Sequence, residues 1–205
     1  MDSKWLDWAI ELQATAQAGL YYTKDPFDRE RFQRIREISA EILSQKSGLD
    51  LERVEGLFCN ETGYQTPKMD TRAAVFQEEK ILLVRERIDG KWSLPGGWMD
   101  VNQSIRSNVV KEVREEAGLE VIPKKIIALQ DRRKRNPPPV AFGICKVFVL
   151  CEAVGGAFLP NTETTEMGYF ALDGLPPLSE TRNTTQQVEM CFRAAKDENW
   201  TVIFD

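Results

Sequence analysis

From Trp5 to Leu43 apolar residues recur every three or four positions, and beyond residue 68 the spacing tightens to short β-rich runs. Trp5, Trp8, Ala9, Leu12, Ala16 and Leu20 form one stripe, which predicts a helix. Asp25-Pro26 then offers a cap followed by proline in the first turn of a second helix, carried on by Phe32, Ile35, Ile38, Ile42 and Leu43. The stretch CNETGYQTPK, 59–68, is polar and holds Gly and Pro, so it reads as a linker. The boundary is placed near residue 66, giving a helical domain over 1–66 and a second domain over 67–205.

In the second domain DTRAAVF and KILLVRE read as strands joined by a hairpin at Gln77-Glu78-Glu79. Trp92-Ser93-Leu94-Pro95 leads into a glycine turn at Gly96-Gly97. A helix is predicted over 105–117: Ile105, Val109 and Val113 make its apolar stripe, Asn102 and Ser104 offer cap oxygens, and Gly118 stands where a left-handed stop belongs. Residues 121–129 and 143–154 read as further strands, 181–195 as a closing helix and 200–204 as a last strand. This alternation predicts an α/β fold, an α/β/α sandwich around a mixed sheet with an N-terminal helical domain.

The helix after the glycine turn carries the chemistry. Glu112, Glu115 and Glu116 stand at i, i+3 and i+4, so their carboxylates share one face. Like charges so placed cost a few tenths of a kcal/mol per pair, roughly, and a cation relieves them. Oxygen-only ligands suit Mg²⁺ or Mn²⁺. A solvated acidic helix face is the alternative.

The segment GGWMDVNQSIRSNVVKEVREEAGL, 96–119, resembles the Nudix box, G-x5-E-x7-R-E-U-x-E-E-x-G-U with U aliphatic. It departs at two positions, with Gln103 in place of Glu and Lys111 in place of Arg, so the fork-shaped pairing that steadies the loop in the family is lost. The resemblance covers 68–205 and implies the same sandwich fold. It further implies metal ligands at Glu112, Glu115 and Glu116, with the Gly96 carbonyl added, and attack of water on a diphosphate phosphorus. The general base is Glu112 itself or a carboxylate of the later loop NTETTEMGYF, Glu166 first and Glu163 second, with a plain loop role as the alternative for both.

The N-terminal helices, through KWLDWA and YYTKDPFDRERF, together with PLSETRNT downstream, resemble the leader of a Nudix subgroup acting on nucleoside diphosphates linked to another moiety. That implies substrates such as ADP-ribose or CDP-choline, cleaved to a nucleoside monophosphate and a phosphorylated remainder. It also leads to an expected homodimer through the helical domain. An RNA 5′-end or nucleoside triphosphate pyrophosphohydrolase, or a ligand sensor without turnover, is the alternative. Arg72 and Arg85 are candidate diphosphate contacts, unless they pair with Asp70 or Glu86 across strands. Trp98, like Trp92, is a candidate for stacking on a base or for packing.

Composition narrows the partners. The chain of 205 residues has 27 Lys and Arg against 32 Asp and Glu, a net charge of −5, which disfavours broad binding to RNA or anionic lipid. The run Arg132-Arg133-Lys134-Arg135 is the local exception, read as a solvated loop or, folded over the metal site, as an attractor for a polyanion such as an RNA 5′ end. Histidine is absent, so hydrolysis must rest on carboxylates and hard cations. No apolar run spans a membrane and the N-terminus lacks a signal-peptide core, so a cytoplasmic location is expected. The four cysteines show no CxxC pairing and read as reduced, buried thiols.

Overall fold

The computed structural model describes residues 4–205 and divides into two compact units. The first runs to Pro67 and includes Val140–Phe142; the second comprises Lys68–Pro139 and Gly143–Asp205.

The first unit is helical: α1 (Lys4–Tyr22), α2 (Pro26–Ser47) and α3 (Leu51–Phe58). Asp25 caps α2, its carboxylate accepting from the Phe27 and Asp28 amides at 2.8 and 3.0 Å, and Gly48 ends it with φ 72°. The face of α1 that is buried is Leu6, Ala9, Gln13, Ala16 and Gln17. It is rotated from the stripe read in the sequence, and Trp8 is 55% exposed. The two buried glutamines are satisfied by the end of α3 and the chain after it: Gln13 Nε2 donates to the Phe58 carbonyl (3.2 Å) and Gln17 Nε2 to the Gly63 carbonyl (2.8 Å).

The second unit is the α/β/α sandwich. Its strands are β1 (Lys68–Gln77), β2 (Lys80–Glu86), β3 (Trp92–Ser93), β4 (Leu119–Asp131), β5 (Ile144–Gly156), β6 (Thr164–Phe170) and β7 (Ile203–Phe204). Its helices are α4 (Ile105–Ala117), a single turn α5 (Arg132–Arg135) and α6 (Thr185–Lys196). The sheet is mixed, in the order β3-β2-β1-β5-β4-β7 with β6 on β2; β1 runs parallel to β5, and β4 antiparallel to it. Alternate residues of β1 and β2 feed opposite faces. Ala73, Val75, Leu82 and Val84 pack with Val109, Val113 and Ala117 of α4, while Ala74, Ile81 and Leu83 pack with Val188, Met190 and Phe192 of α6.

Two segments differ from the sequence reading. Within the stretch holding Glu163 and Glu166, residues 164–170 form a strand rather than a loop, because β2 pairs with β1 only at Phe76 and Gln77 and takes a further partner; Glu166 lies on that strand and Glu163 on the bend before it. The basic run is not a solvated loop: it is one helical turn capped by Asp131, with Arg132 buried and Arg135 paired to Asp205. All four cysteines are free thiols; Cys151 and Cys191 are buried, Cys59 and Cys145 half-buried. No helix among the described residues is long and apolar enough to cross a membrane.

Candidate active site

The site is built where β1, the glycine turn and α4 meet. After β3 the chain turns back along the start of β1: the Ala73, Thr71 and Met99 amides donate to the Pro95, Gly97 and Met69 carbonyls, each at 2.9 Å. This close approach requires glycine at Gly96, where the obstacle is backbone. A Cβ on Gly96, whose φ is 142°, would lie 2.0 Å from the Thr71 carbonyl oxygen, and one on Gly97 would lie 2.9 Å from Glu112 Oε2. The Gly96 amide donates to Glu116 Oε2 at 2.8 Å, so turn and helix are tied through a carboxylate.

Helix α4 begins at a Ser104/Ser107 capping box and ends at Gly118 with φ 67°. Of its three glutamates, Glu112 and Glu116 are buried and Glu115 is exposed. Burial pushes the Glu116 carboxyl up to about 8, with Glu86 and Glu112 adding to the rise against Arg72 and the Gly96 amide. Glu112 is also raised by burial, opposed by Lys111. Lys111 stands among three carboxylates, 3.3 Å from Asp100, 3.3 Å from Glu112 and 3.1 Å from Glu115. It thus takes Asp100, three residues before Gln103, as a loop partner.

Asn108 completes that brace. It is fully buried, donates to Thr71 Oγ1 (2.9 Å) and the Trp98 carbonyl (3.4 Å), and accepts from the Asp100 amide (3.1 Å). Beneath the turn lies a buried charge cluster. Asp70 receives Arg72 Nε at 2.9 Å and pairs with Lys146, while Arg72 Nη1 donates to the Leu94 carbonyl. Glu86 is held by Ser93 Oγ (2.5 Å) and Arg182 Nε (2.8 Å).

These groups open on a cavity of about 430 Å³. Its lining brings together Arg72, Gly96, Trp98, Glu112, Glu115, Glu116 and Glu163 of the sequence-predicted residues. Trp98 is 52% exposed there, whereas Trp92 packs edge-on to Phe170 at 4.8 Å. Arg85 and Glu166 lie outside the lining, paired to each other at 2.7 Å across β2 and β6. Glu163 is positioned by its neighbours: Asn161 Nδ2 donates to the Glu115 carbonyl (2.9 Å) and Thr164 Oγ1 to the Glu116 carbonyl (2.6 Å), pinning the loop to the end of α4. Sequence reasoning missed Asn108 and Arg182 and named Glu86 only as an ion-pair partner, whereas Arg132 belongs to the run it had singled out. Only the position of Asn108, four residues after the Ser104 cap, could have flagged one of them.

The lining holds seven acidic and four basic side chains, an excess of negative charge in a partly buried space. Among the described residues no three carboxylates converge as they stand on one point at ligand spacing, since Lys111 sits between Glu112 and Glu115. The donor chemistry nonetheless fits a hard divalent cation: every donor is oxygen, and two carboxylates are buried with their ionised forms penalised.

Comparison with known proteins agrees with this geometry. Residues 3–58 match the family model described as Nudix_N, a UDP-X-like, N-terminal oligomerisation domain, and residues 66–190 match the NUDIX domain model. The chain is 42% identical over 205 residues to "Putative ADP-ribose pyrophosphatase YjhB" of Bacillus subtilis (strain 168), covering all of this chain and 99% of that one. The crystal structure of an ADP-ribose pyrophosphatase from Streptococcus suis 89-1591 is 54% identical, covering 68% of this chain and all of that one, with a TM-score of 0.64. The crystal structure of a UDP-X diphosphatase is 34% identical over 98% of both chains, with a TM-score of 0.65.

Proposed function

The chain belongs to the Nudix hydrolases, and from that premise we propose that it cleaves the diphosphate of a nucleoside diphosphate-X to a nucleoside monophosphate and phosphoryl-X, using Mg²⁺ or Mn²⁺. The observation that carries this reading is the cavity's uncompensated carboxylate charge, centred on buried Glu112 and Glu116 beside the Gly96 turn. Glu112, Glu115, Glu116 and the Gly96 carbonyl would hold the ion. When bound, it neutralises diphosphate oxygens and acidifies a water. The substrate class follows from the ADP-ribose and UDP-X activities named for full-length relatives; both are nucleoside diphosphates joined to a further group.

The chain's own residues supply the rest. Glu163, in the lining, takes the role of proton acceptor at its carboxylate ahead of Glu166, whose carboxylate is engaged by Arg85. Glu112 is the second candidate, its raised affinity for a proton suiting a base. Trp98 presents an exposed ring at the cavity mouth for a base or sugar. Arg72 spends its donors on Asp70 and Leu94 and acts mainly through its charge beneath the turn.

A product-resolved assay of ADP-ribose, CDP-choline, UDP-sugars, nucleoside triphosphates and triphosphate-ended RNA tests this. Metal-dependent release of a nucleoside monophosphate from a diphosphate-X compound is expected. Turnover confined to triphosphates or RNA would overturn the substrate class.

We assign association to the helical unit, as a homodimer. It exposes Trp8, Tyr21, Tyr22, Phe27 and Leu57, and its segment matches a model described as an oligomerisation domain. Light scattering is expected to give twice the chain mass; a monomer at micromolar concentration would remove the assignment.

A further inference from the structure

Arg132 is the part of the basic run that the hydrolase reading leaves without a task. It stands at the junction of β4 and α5, is only 6% exposed, and lines the same cavity as the box glutamates. Its guanidinium donates to the Pro138 carbonyl from Nη1 at 2.9 Å and makes no ion pair among the described residues. The carboxylate whose field reaches it, Asp70, is already shared by the buried cations Arg72 and Lys146. Arg72 draws further support from Glu116 and Glu86, but Asp70 is the one carboxylate that acts on both Lys146 and Arg132. A cation buried with so little compensation is unfavourable unless an anion enters. A guanidinium offers five donors in a planar fork and has used one of them here, which suits bidentate capture of a phosphate.

We propose that Arg132 is a phosphate-binding residue of the cavity, holding a phosphate of the substrate through its guanidinium without help from the metal. The inference rests on the diphosphate-X reading for the identity of the ligand. The phosphate belongs either to the nucleotide half or to the X half, and both products present it as a monoester.

The test uses the full chain in excess EDTA, so that neither metal nor turnover contributes. Inorganic phosphate, AMP and ribose 5-phosphate are titrated by calorimetry into the wild type, Arg132→Gln and Arg132→Lys. At least one probe is expected to bind the wild type, with affinity about tenfold or more weaker in Arg132→Gln and only partly restored in Arg132→Lys, which keeps the charge but not the fork. Selective loss for AMP assigns the nucleotide half; selective loss for ribose 5-phosphate assigns the X half. Equal binding to wild type and Arg132→Gln, or no binding to the wild type, overturns the proposal. Should Arg132→Gln fail to fold, the Arg132 side-chain Nε–H resonance of the wild type must shift on adding the bound probe, and a resonance that stays put overturns it equally. A protein that binds phosphate through Arg132 yet hydrolyses nothing would remove the hydrolase reading alone.

Discussion

Glu116→Gln is expected to lower kcat/KM by about 10²–10³-fold, while making the metal-free protein more stable at pH 8 and above. The two effects have one origin. Glu116 is 5% exposed and beside Glu86 and Glu112, so its ionised form is costly until a cation arrives. Glutamine keeps an oxygen for the Gly96 amide but carries no charge for a metal. The sign follows from linkage. A carboxyl whose folded pKa is raised to about 8 contributes its stability in full below the unfolded value near 4.5, and loses it as pH rises through about 8. Denaturation midpoints in chelator should therefore fall from pH 5 to pH 9 in the wild type and fall less in Glu116→Gln, and adding Mg²⁺ should restore the wild type only. Turnover near normal in the variant would sink the metal assignment. An unchanged pH slope would place the titrating group elsewhere.

The legible parts of this molecule were those in which local chemistry and tertiary packing ask for the same residues. Helix α4 spans the predicted 105–117 because cap, apolar stripe and glycine stop all act within the segment itself. The β-rich runs DTRAAVF and KILLVRE likewise gave β1 and β2, although their turn uses Glu78 and Glu79 at φ 48° and 59°, where Gly or Asn is the usual signal. The buried face of α1 was misread because it includes Gln13 and Gln17, polar residues whose acceptors, Phe58 and Gly63, lie more than forty positions away. Strand β6 was hidden for a related reason: Thr164–Phe170 is mostly half-exposed, so it lacks the apolar alternation that marks a strand.

The same division holds at the site. Spacing along one helix revealed the glutamates, but which carboxylates share a cavity depends on strand register. Glu163 and Glu166 are three residues apart, yet one lines the cavity and the other, opposite Arg85 in the β2–β6 register, is tied up in an ion pair. Gln103 and Lys111 looked like a weakened brace because the sequence shows only the lost pair. Asp100 and Asn108 replace it through contacts that no spacing rule connects.

Asp70→Asn is expected to destabilise the fold by about 3–5 kcal/mol. Asp70, Arg72 and Lys146 are all at most 6% exposed, and Asp70 is the carboxylate that both cations contact. Removing its charge strands two buried cations, with Arg132 adding repulsion. Lys146→Met is the informative contrast: it leaves the Asp70–Arg72 pair whole and replaces a buried ammonium with an apolar chain, so it should cost under about 1.5 kcal/mol. The penalty of Asp70→Asn must also depend on pH. Burial lowers the Lys146 ammonium to about 8, so at pH 9 the wild-type lysine is largely neutral and has less attraction to lose. Urea denaturation of both variants at pH 6 and pH 9 decides it. A cost for Asp70→Asn below about 1 kcal/mol at pH 6 would sink the buried-pair argument, and a cost that is the same at pH 6 and pH 9 would mean that Lys146 is neutral in the native fold and that Arg72 alone is the partner of Asp70.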